Sequence, residues 1–516
     1  MGKIKYGLTA LALASGTALL AQMQWSVDVA PILYQHCTVC HHEGGIGPFS
    51  LMTYPQAAVM GPLLSAAADA GTMPPWPPDT EYSNFAHERI LSADEKAALA
   101  AWVSEGIPEG DPSLAPPPPV YLSDGFISAI PDLELVMEPH TSAATPFNDD
   151  YSCFSIPTGL LQNKKLRAFE VIPGNPEIVH HALVFLDESG NYQTNTNGFC
   201  MGPGDGLLGG YTPGALPIVF PSNGTNFNLG VSVPAGSNIV LAMHYPHGSA
   251  GEVDQTRVRL WFYDDAVSIR EVTTAAVIQN WSFALPPNQE TPVSASFSGV
   301  PVDMSLLSVF PHMHLLGKSI ESFATPPVGD DIPLIRINRW DFHWQSFYSF
   351  ESLVRLPAGS TIYGNGVFDN TTSNPNNPSN PPQWVGPGEG TNDEMFMIYF
   401  QYLPYQQGDE LVDLEPLIQM PTTVESIGSK TSESRLAVAP NPASDQIWFS
   451  YSASGGERVG VYIYDASGRL VNRLVDGAVQ NGEQRIAYPV NDLAPGIYVA
   501  SARFGERLES VRFVVQ

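Results

Sequence analysis

Basic residues are scarce in this chain of 516 residues. It contains 23 Lys and Arg against 52 Asp and Glu, which gives a formal net charge of −29 at pH 7. Because an acidic surface repels the phosphates of nucleic acids and of anionic membranes, we expect neither as a partner. Beyond the first 21 residues, no apolar run approaches the length that a membrane-spanning helix needs.

Cysteine and histidine are also rare, with 4 and 12 residues in the whole chain. Glycine and proline are instead abundant, with 45 and 47 residues, and this abundance indicates many turns and a β-rich protein. A chain of this length is expected to form several domains. The few cysteines and histidines therefore become informative through where they cluster.

The first 21 residues have the features of a secretory signal peptide. Lys3 and Lys5 precede the apolar stretch LTALALASGTALLA, and Ala21 is a suitable cleavage point. An uncleaved membrane anchor is the alternative interpretation. Either way, we expect the protein to act outside the cytoplasm, where disulfide bonds form.

Residues 23–110 are predicted to form a small, partly helical domain. The stretch LSADEKAALAAWVSEGI predicts an amphipathic helix with Ser92 as the N-cap and Glu95 completing a capping box. The proline-rich segment 111–120 follows and predicts a stiff, extended linker.

The rest of the chain is predicted to be mainly β. Short apolar or alternating runs such as LRAFEVI, NIVLAMHY and EMFMIYFQYL alternate with Gly, Pro and Asn. This region is too long for one β-sandwich, so two packed sandwiches are expected, over 121–283 and 284–420. A polar linker over 421–433 and a small β-sandwich over 434–516 complete the predicted domain order.

The motif CTVCH predicts covalent attachment of a c-type haem. Cys37 and Cys40 have the spacing that joins the two vinyl groups of one haem, and His41 follows as the proximal iron ligand. A redox-active or zinc-binding CxxC is the alternative. Met73 is the predicted sixth ligand, because a Met/His pair suits electron transfer. The other candidates for that position are Met52, Met60, His36 and His87. The segment resembles small class I cytochromes c, with CHHEGGIGPFSLMTY and MPPW as the matching stretches.

Six of the twelve histidines fall in three clusters within the β region. The clusters are HH at 180–181, HYPH at 244–247 and HMH at 312–314, and Met395 in NDEMFM adds a thioether. Imidazole alone suits zinc or copper, whereas imidazole with a thioether favours Cu(I). Because neighbouring strand residues face opposite ways, the two histidines of the first cluster can share one metal only at a bulge or a strand end.

These motifs resemble the copper type II, ascorbate-dependent monooxygenases, which include peptidylglycine α-hydroxylating and dopamine β-monooxygenase. HHALVF, VLAMHY, HMHLLGK and DEM occur in the family's order over roughly residues 130–420. The resemblance implies two jelly-roll-like β-sandwiches with one copper in each. It assigns an electron-transfer copper to His180, His181 and His244, and the copper that binds O₂ and substrate to His312, His314 and Met395. His247 has no clear counterpart.

The resemblance also has consequences for the substrate and for a disulfide. The family's peptide-amidating enzymes carry an arginine where this chain has Phe310 and a polar amide where it has Met397, while the substrate-contacting Tyr399 is kept. Because an unpaired carboxylate is costly to bury, we expect a less polar or uncharged substrate. The resemblance further implies a disulfide between Cys153 and Cys200.

Residues 434–516 resemble the type A sorting domain of the type IX secretion system, through APNPASDQ, VYIYDASGRLV and LAPGIYVASARF. We therefore expect export through the periplasm to the cell surface or the medium. The whole sequence predicts a copper-dependent monooxygenase that hydroxylates a C–H bond of a small organic substrate with O₂. Its fused haem would relay electrons from an external donor, either ascorbate or a redox protein. The alternatives are a non-catalytic haem and copper electron-transfer protein, and a hydroxylase fed by small reductants with the haem as a sensor.

Overall fold

The structure, a computed structural model, describes residues 22–418 and 436–515, with short gaps at 123–124, 128, 146–147, 199, 201, 441–442, 454–457, 466–469, 479–481, 492, 495 and 505–506. The predicted signal peptide over 1–21 and the predicted linker over 421–433 lie outside the described residues. The described chain is mainly β and contains several sheets, as the sequence predicted.

Helices are concentrated near the N-terminus. They are α1 (Ala30–His36), preceded by a π-helical turn over Trp25–Val29, α2 (Tyr54–Asp69) and α3 (Ala93–Ser104), with a short 3-10 turn over Pro112–Leu114. The capping box predicted for α3 is confirmed, because the N–H of Glu95 donates to Ser92 Oγ while Glu95 accepts from the N–H of Ser92. Leu99 and Trp102 are fully buried in the core between these helices.

In the first β region, the residues that the structure describes form twelve strands, arranged as two main sheets and one strand pair. They are β1 (Leu133–Val136), β2 (His140–Thr141), β3 (Asp150–Pro157), β4 (Lys164–Ile172), β5 (His181–Asp187), β6 (Leu207–Tyr211), β7 (Ile218–Val219), β8 (Leu229–Val233), β9 (Asn238–Tyr245), β10 (Val253–Asp254), β11 (Arg257–Phe262) and β12 (Arg270–Glu271). One sheet has the order β3-β9-β5-β6, the other has the order β1-β11-β4-β8-β12 with β7 beside β4, and β2 pairs with β10. The two sheets share one apolar core that includes Phe154, Phe169 and Leu260.

The second β region contains eight strands in two four-stranded sheets. They are β13 (Thr273–Asn280), β14 (Gln289–Ser298), β15 (Met304–His312), β16 (Gly317–Thr325), β17 (Ile332–Ile337), β18 (Tyr348–Leu356), β19 (Thr361–Asn370) and β20 (Phe396–Pro404), followed by a 3-10 turn over Asp409–Leu411. The sheet orders are β13-β20-β15-β18 and β14-β19-β16-β17. A second core that includes Phe368, Phe396 and Phe400 lies between them.

The chain passes from the sheets of the first β region to those of the second between β12 and β13. This change comes earlier in the chain than the domain boundary predicted at 283/284. Only Val272 separates these strands, so no turn-rich stretch marks the change. The two β regions also pack together, because Leu307, Leu353 and Leu403 from the second region belong to the first region's core.

The described part of the C-terminal region contains seven strands. They are β21 (Leu436–Ala439), β22 (Gln446–Ala453), β23 (Arg458–Asp465), β24 (Leu470–Ala478), β25 (Gly482–Pro489), β26 (Gly496–Phe504) and β27 (Arg507–Val515). The sheet orders are β21-β22-β25 and β24-β23-β26-β27, and both sheets contribute to one core.

One part of the predicted helical domain lies on the second β region. The N–H of Asp79 donates to the carbonyl of Arg336, and the N–H of Ala86 donates to the carbonyl of Ser349. The Phe85 ring stacks on Phe350 with centroids 5.4 Å apart. The loop between α2 and α3 therefore connects the CTVCH region to the strands that carry the histidine clusters.

Candidate metal centres

The first candidate centre joins β5, β9 and the residue before β5. His181 begins β5 and pairs with His244 of β9, while His180 precedes the strand and donates its N–H to the carbonyl of His244. The predicted strand-end geometry is therefore confirmed. Nδ1 of His181 lies 3.2 Å from Nδ1 of His180 and 3.2 Å from Nδ1 of His244. Among the described residues, these three histidines are the one set of three or more His, Cys, Asp or Glu side chains close enough together to hold one metal ion.

The far side of the His244 ring is held by an acidic residue. Asp149 Oδ2 lies 2.9 Å from Nε2 of His244, and Tyr151 stacks on the same ring with centroids 4.4 Å apart. Thr391, from the second β region, donates its hydroxyl to Asp149. The Nε2 proton of His244 is thereby directed to Asp149, which leaves Nδ1 as the lone-pair atom facing His181.

Burial makes His180 and His181 of this centre neutral at pH 7. Burial and the neighbouring His244 and His343 rings lower the pKa of His180 to about 3. Burial and the neighbouring His244 and His180 rings lower the pKa of His181 well below its ordinary value. Because a metal binds the neutral imidazole, these residues need not lose a proton first.

The second candidate centre contains His312 and His314. The strand β15 ends at His312, so His314 lies beyond the end of the strand. The buried carboxylate of Glu394 accepts the N–H of His314, which removes this group from the strand ladder. The two rings nevertheless remain adjacent, with centroids 5.1 Å apart.

Both Nδ1 atoms of this pair have a fixed partner. Gln345 Oε1 lies 2.6 Å from Nδ1 of His312, and the carbonyl of Asp393 lies 2.9 Å from Nδ1 of His314. Both Nδ1–H groups therefore donate, and each Nε2 carries the free lone pair. Burial lowers the pKa of His312 to about 4, although the hydrogen bond with Gln345 opposes the shift. Burial and the neighbouring His312 ring lower the pKa of His314 to about 3.

Met395 follows two residues that contact His314. Glu394 accepts the N–H of His314 and the carbonyl of Asp393 faces its ring, while His312 pairs with Met397 across β15 and β20. Met395 is only 5% exposed. Burial raises the pKa of the neighbouring Glu394 to about 8, although backbone N–H groups including that of His314 oppose the rise.

An apolar wall adjoins His312. Phe310 stacks on Phe347 with centroids 4.7 Å apart and lies 5.8 Å from the Tyr399 ring. Phe310 and Met397 are each 8% exposed, and the Tyr399 hydroxyl contacts Met397 Sδ. Among the described residues of this wall, none carries a charge. The two apolar substitutions noted in the sequence therefore belong to one surface next to the second centre.

Phe342 lies between the two candidate centres. Its ring stacks on His180 with centroids 5.0 Å apart and meets His314 edge-on at 5.8 Å. Thr391 adds a second link, since its Oγ1 lies 3.4 Å from Nε2 of His244 and it belongs to the loop that leads to Met395. The two centres are therefore separated by a single aromatic ring.

The CTVCH motif lies in the turn after α1. The N–H of His41 donates to the carbonyl of Cys37, and Nδ1 of His41 lies 3.0 Å from the carbonyl of Phe49. Burial is the main cause that raises the pKa of the Cys37 thiol to about 12, and burial also raises that of Cys40 against the opposing charge of Arg89. Both cysteines are therefore thiols rather than thiolates.

The loop after the motif depends on its glycines. A Cβ on Gly47 would lie 2.5 Å from Nδ1 of His41, so only glycine lets the loop pass this close to the ring. A cleft of about 320 Å³ opens along residues 42–50. Gln56 of α2 completes the lining of this cleft.

The candidates for a sixth haem ligand differ in their surroundings. Met73 follows α2 and is 45% exposed. His36 contacts Glu95 at 3.0 Å, and both ring nitrogens of His87 are engaged by Glu415 and the carbonyl of Ile418. Met52 and Met60 are partly buried. The two histidine candidates thus already have partners.

Two further sequence expectations are answered by the structure. Cys153 and Cys200 form a disulfide, as predicted. His247 has 63% of its side chain exposed and faces Asp149 with Nδ1 3.4 Å from Oδ1, so it is a neighbour of the first centre's acidic partner. Its backbone N–H also donates to Asp149.

Sequence reasoning missed the residues that hold the histidine rings. They are Asp149, Phe342, Gln345, Asp393 and Glu394. Asp393 and Glu394 adjoin Met395 within the recognised DEM motif, and Asp149 immediately precedes a strand that pairs with the strand of His244. Gln345 and Phe342 come from a loop with no such signal.

Comparison with known proteins identifies the C-terminal region. A family model described as a secretion system C-terminal sorting domain matches residues 437–516. Comparison with curated proteins finds no match. Among solved structures, the chain is similar to PorZ, described as an essential bacterial surface component of the type-IX secretion system of Porphyromonas gingivalis. The identity is 17%, the TM-score is 0.13, and the alignment covers 24% of this chain and 15% of that chain.

The predicted sorting domain is therefore confirmed. The protein carries a C-terminal type IX secretion sorting domain, which implies an association with that machinery and export to the cell surface or into the medium. Within the described ranges, no helix is both long and apolar enough to cross a bilayer.

Proposed function

We propose that this exported protein is a copper-dependent monooxygenase with two copper ions and one covalently attached c-type haem. It would insert one oxygen atom of O₂ into a C–H bond of a small organic substrate and reduce the other atom to water. The reaction also consumes two electrons and two protons. The observation that carries the proposal is the convergence of two separate imidazole sets on the two sides of Phe342.

The spacing of the first set fits one metal ion. Imidazole nitrogens bound at about 2.0 Å to a tetrahedral ion are separated by roughly 3.3 Å. The Nδ1 atoms of His180 and His244 each lie 3.2 Å from Nδ1 of His181. Three imidazole ligands accept either oxidation state of copper, so His180, His181 and His244 suit an electron-transfer site.

The second set fits a softer and more open site. Nδ1 is the atom held by Gln345 in His312 and by Asp393 in His314, so Nε2 is the atom of each ring that would bind a metal. Two imidazoles with the thioether of Met395 favour Cu(I), the state that reacts with O₂. This copper would supply the redox chemistry that activates O₂.

The protein's own residues prepare that chemistry. Gln345 and Asp393 fix the tautomer and orientation of the two rings. Phe310, Phe347 and Tyr399 would bind the substrate and keep water from the reacting C–H bond. Because no charged group lines this wall among the described residues, we propose an uncharged, largely apolar substrate.

A haem at CTVCH would bring the electrons. The Phe49 carbonyl holds Nδ1–H of His41 and leaves Nε2 for the iron, as a ligating histidine requires. The raised thiol pKa values of Cys37 and Cys40 argue against a redox CxxC, whose thiolate needs a lowered pKa. Met73 remains the proposed sixth ligand, and ascorbate or a redox protein the proposed external donor.

The overall organisation agrees with the resemblance seen in the sequence. Each β region has two sheets around one core, which supports the proposed pair of jelly-roll-like sandwiches. Between the N-terminal helices a separate core supports the proposed cytochrome c domain. The two sheets of the C-terminal region likewise support a small sandwich for the sorting domain.

The test combines metal content with oxygen consumption. Elemental mass spectrometry of the mature protein should give two coppers and one iron per chain. With a reductant, neutral aromatic or aliphatic compounds should increase O₂ uptake and yield hydroxylated products by mass spectrometry. A protein that binds all three metals but consumes no O₂ with any of these compounds would be the non-catalytic electron-transfer protein instead. Deleting residues 23–120 and supplying ascorbate tests whether the haem is a relay or only a sensor.

A further inference from the structure

A single loop touches both candidate copper centres and the helical region. It comprises residues 340–347, between β17 and β18, and is called the connecting segment below. Trp340 Nε1 donates to the carbonyl of His314, and Gln345 holds His312. Phe342 stacks on His180. The segment thus contacts three of the proposed copper ligands directly.

The other end of the connecting segment faces the CTVCH region. The guanidinium of Arg89 lies over the Trp344 ring, 5.3 Å from its centroid, and both Nη atoms lie 3.4 Å from the carbonyl of Gly214. A Cβ on Gly214 would lie 3.0 Å from the Trp344 ring and 3.9 Å from a methyl of Ile46, in the loop after CTVCH. The charge of Arg89 also acts on the Cys40 thiol.

The segment is fixed at several points, so its rings have defined positions. The N–H of Trp340 donates to the carbonyl of Lys318, and Gln345 Nε2 donates to the carbonyl of Phe342 over 2.8 Å. Thr212 donates its hydroxyl to the carbonyl of Gln345. Phe342 is buried and Trp344 is half-buried. Aromatic rings held in fixed positions suit electron transfer between fixed redox centres, because little has to reorganise when an electron passes.

We propose that the connecting segment conducts electrons from the haem attached at Cys37 and Cys40 to the copper of His180, His181 and His244. Trp344 is the residue on the haem side and Phe342 the residue on the copper side. This inference rests on the proposed function. Each passage oxidises the haem iron from Fe(II) to Fe(III) and reduces Cu(II) to Cu(I). No bond forms or breaks, and the external donor restores the haem.

The test follows the haem rather than the hydroxylation. Full-length protein loaded with haem and Cu(II) is photoreduced at the haem by a ruthenium sensitiser without O₂, and haem reoxidation is followed by absorbance. In the wild type the reoxidation should be first order, independent of protein concentration and dependent on copper. Trp344→Leu should slow it several-fold or more, whereas Trp344→Phe, which keeps an aromatic ring, should stay close to the wild type.

The controls separate a conduit from a packing effect. Trp384 is 68% exposed in a loop of the same β region, so Trp384→Leu should leave the rate unchanged. Haem potential and copper content are measured for every variant. The inference fails if both Trp344 variants reoxidise the haem at the wild-type rate, or if both slow it equally while retaining copper. Either result leaves the proposed function untouched. Absence of any intramolecular reoxidation in the wild type overturns the proposed haem relay as well.

Discussion

Asp149 and His244 form a carboxylate–imidazole pair, with Oδ2 2.9 Å from Nε2. The pair directs Nδ1 of His244 toward His181 and joins the first candidate centre to Thr391 of the second β region. Burial opposes ionisation of Asp149, but hydrogen bonds from His244, Thr391 and His247 outweigh it and hold the pKa of this carboxyl well below its usual range. Asp149 is therefore an anion at neutral pH.

Removal of this carboxylate should weaken copper binding at the first centre. In Asp149→Ala, the His244 ring loses the acceptor that fixes its tautomer. We therefore expect the copper Kd of this site to rise by roughly 10–100-fold. Competition with a chelator of known affinity measures the change.

The adjacent acid provides a matched control. Asp150 pairs with His140 over 2.7 Å, and neither residue belongs to a candidate centre. Asp150→Ala should lower the melting temperature without changing the copper Kd. Equal loss of copper from both variants would mean that the effect comes from general unfolding of β3.

Gln345 should tune the second centre selectively. In Gln345→Leu, Nδ1 of His312 loses its partner at 2.6 Å, and the ring is free to rotate or change tautomer. We expect a drop of about 10-fold or more in copper affinity at this centre, with the first centre unchanged. X-ray absorption and copper titration of the variant measure both sites.

Gln401 is the control for that substitution. It is also a buried glutamine on the same sheet, but its side chain contacts Ser308 and the carbonyl of Leu208. Gln401→Leu should leave both copper affinities at wild-type values. If Gln345→Leu retains full copper affinity as well, the role assigned to Gln345 is wrong.

Local patterns predicted the elements that carry the histidines. NIVLAMHY corresponds to β9 residue for residue, because a largely apolar run between turns is typical of a central, buried strand. The capping box of α3 could also be predicted, because all its partners lie within three residues of one another. His180 and His181 were expected at a strand end because of strand geometry alone.

Contacts between distant residues account for what the sequence did not reveal. His314 leaves the strand because a carboxylate 80 residues away accepts its N–H. Phe342 and Gln345 come from a loop without periodicity, and only the packing of β17 and β18 brings that loop to the histidines. The position of residues 79–86 on β17 and β18 depends likewise on backbone hydrogen bonds that no local pattern encodes.

Phe310 should decide the charge of the accepted substrate. In Phe310→Arg, a cation replaces the ring that stacks on Phe347, next to His312. We expect kcat/KM for neutral substrates to fall and that for matched carboxylates to rise, because a buried carboxylate would then have a partner. Steady-state O₂ uptake with amide and acid forms of one compound measures the ratio. Phe310→Leu, which stays apolar, should keep the preference for the neutral form; a preference unchanged in the arginine variant would contradict this role.

The ion pair between Arg270 and Asp409 should make stability depend on pH. Asp409 is 4% exposed, and its two oxygens accept from the guanidinium at 2.6 and 2.7 Å. Burial opposes ionisation, but the hydrogen bonds from Arg270, Ser305 and the N–H of Gln406 lower the pKa of Asp409 overall. A lowered carboxyl pKa stabilises the fold above the unfolded value of about 4, and this stabilisation is lost as the pH falls through the folded value.

Asp409→Asn should therefore cost about 3 kcal/mol at pH 7, because it leaves the half-buried Arg270 without its anion. Urea unfolding measured between pH 7 and pH 3 should show the difference from the wild type shrinking as the wild-type carboxyl becomes protonated. Asp265, which pairs with Lys164 but has 64% of its side chain exposed, is the control, and Asp265→Asn should change little at any pH. If the loss of unfolding free energy in Asp409→Asn stays constant down to pH 3, its cause is steric. A loss caused by the missing charge must shrink as the wild-type carboxyl becomes protonated.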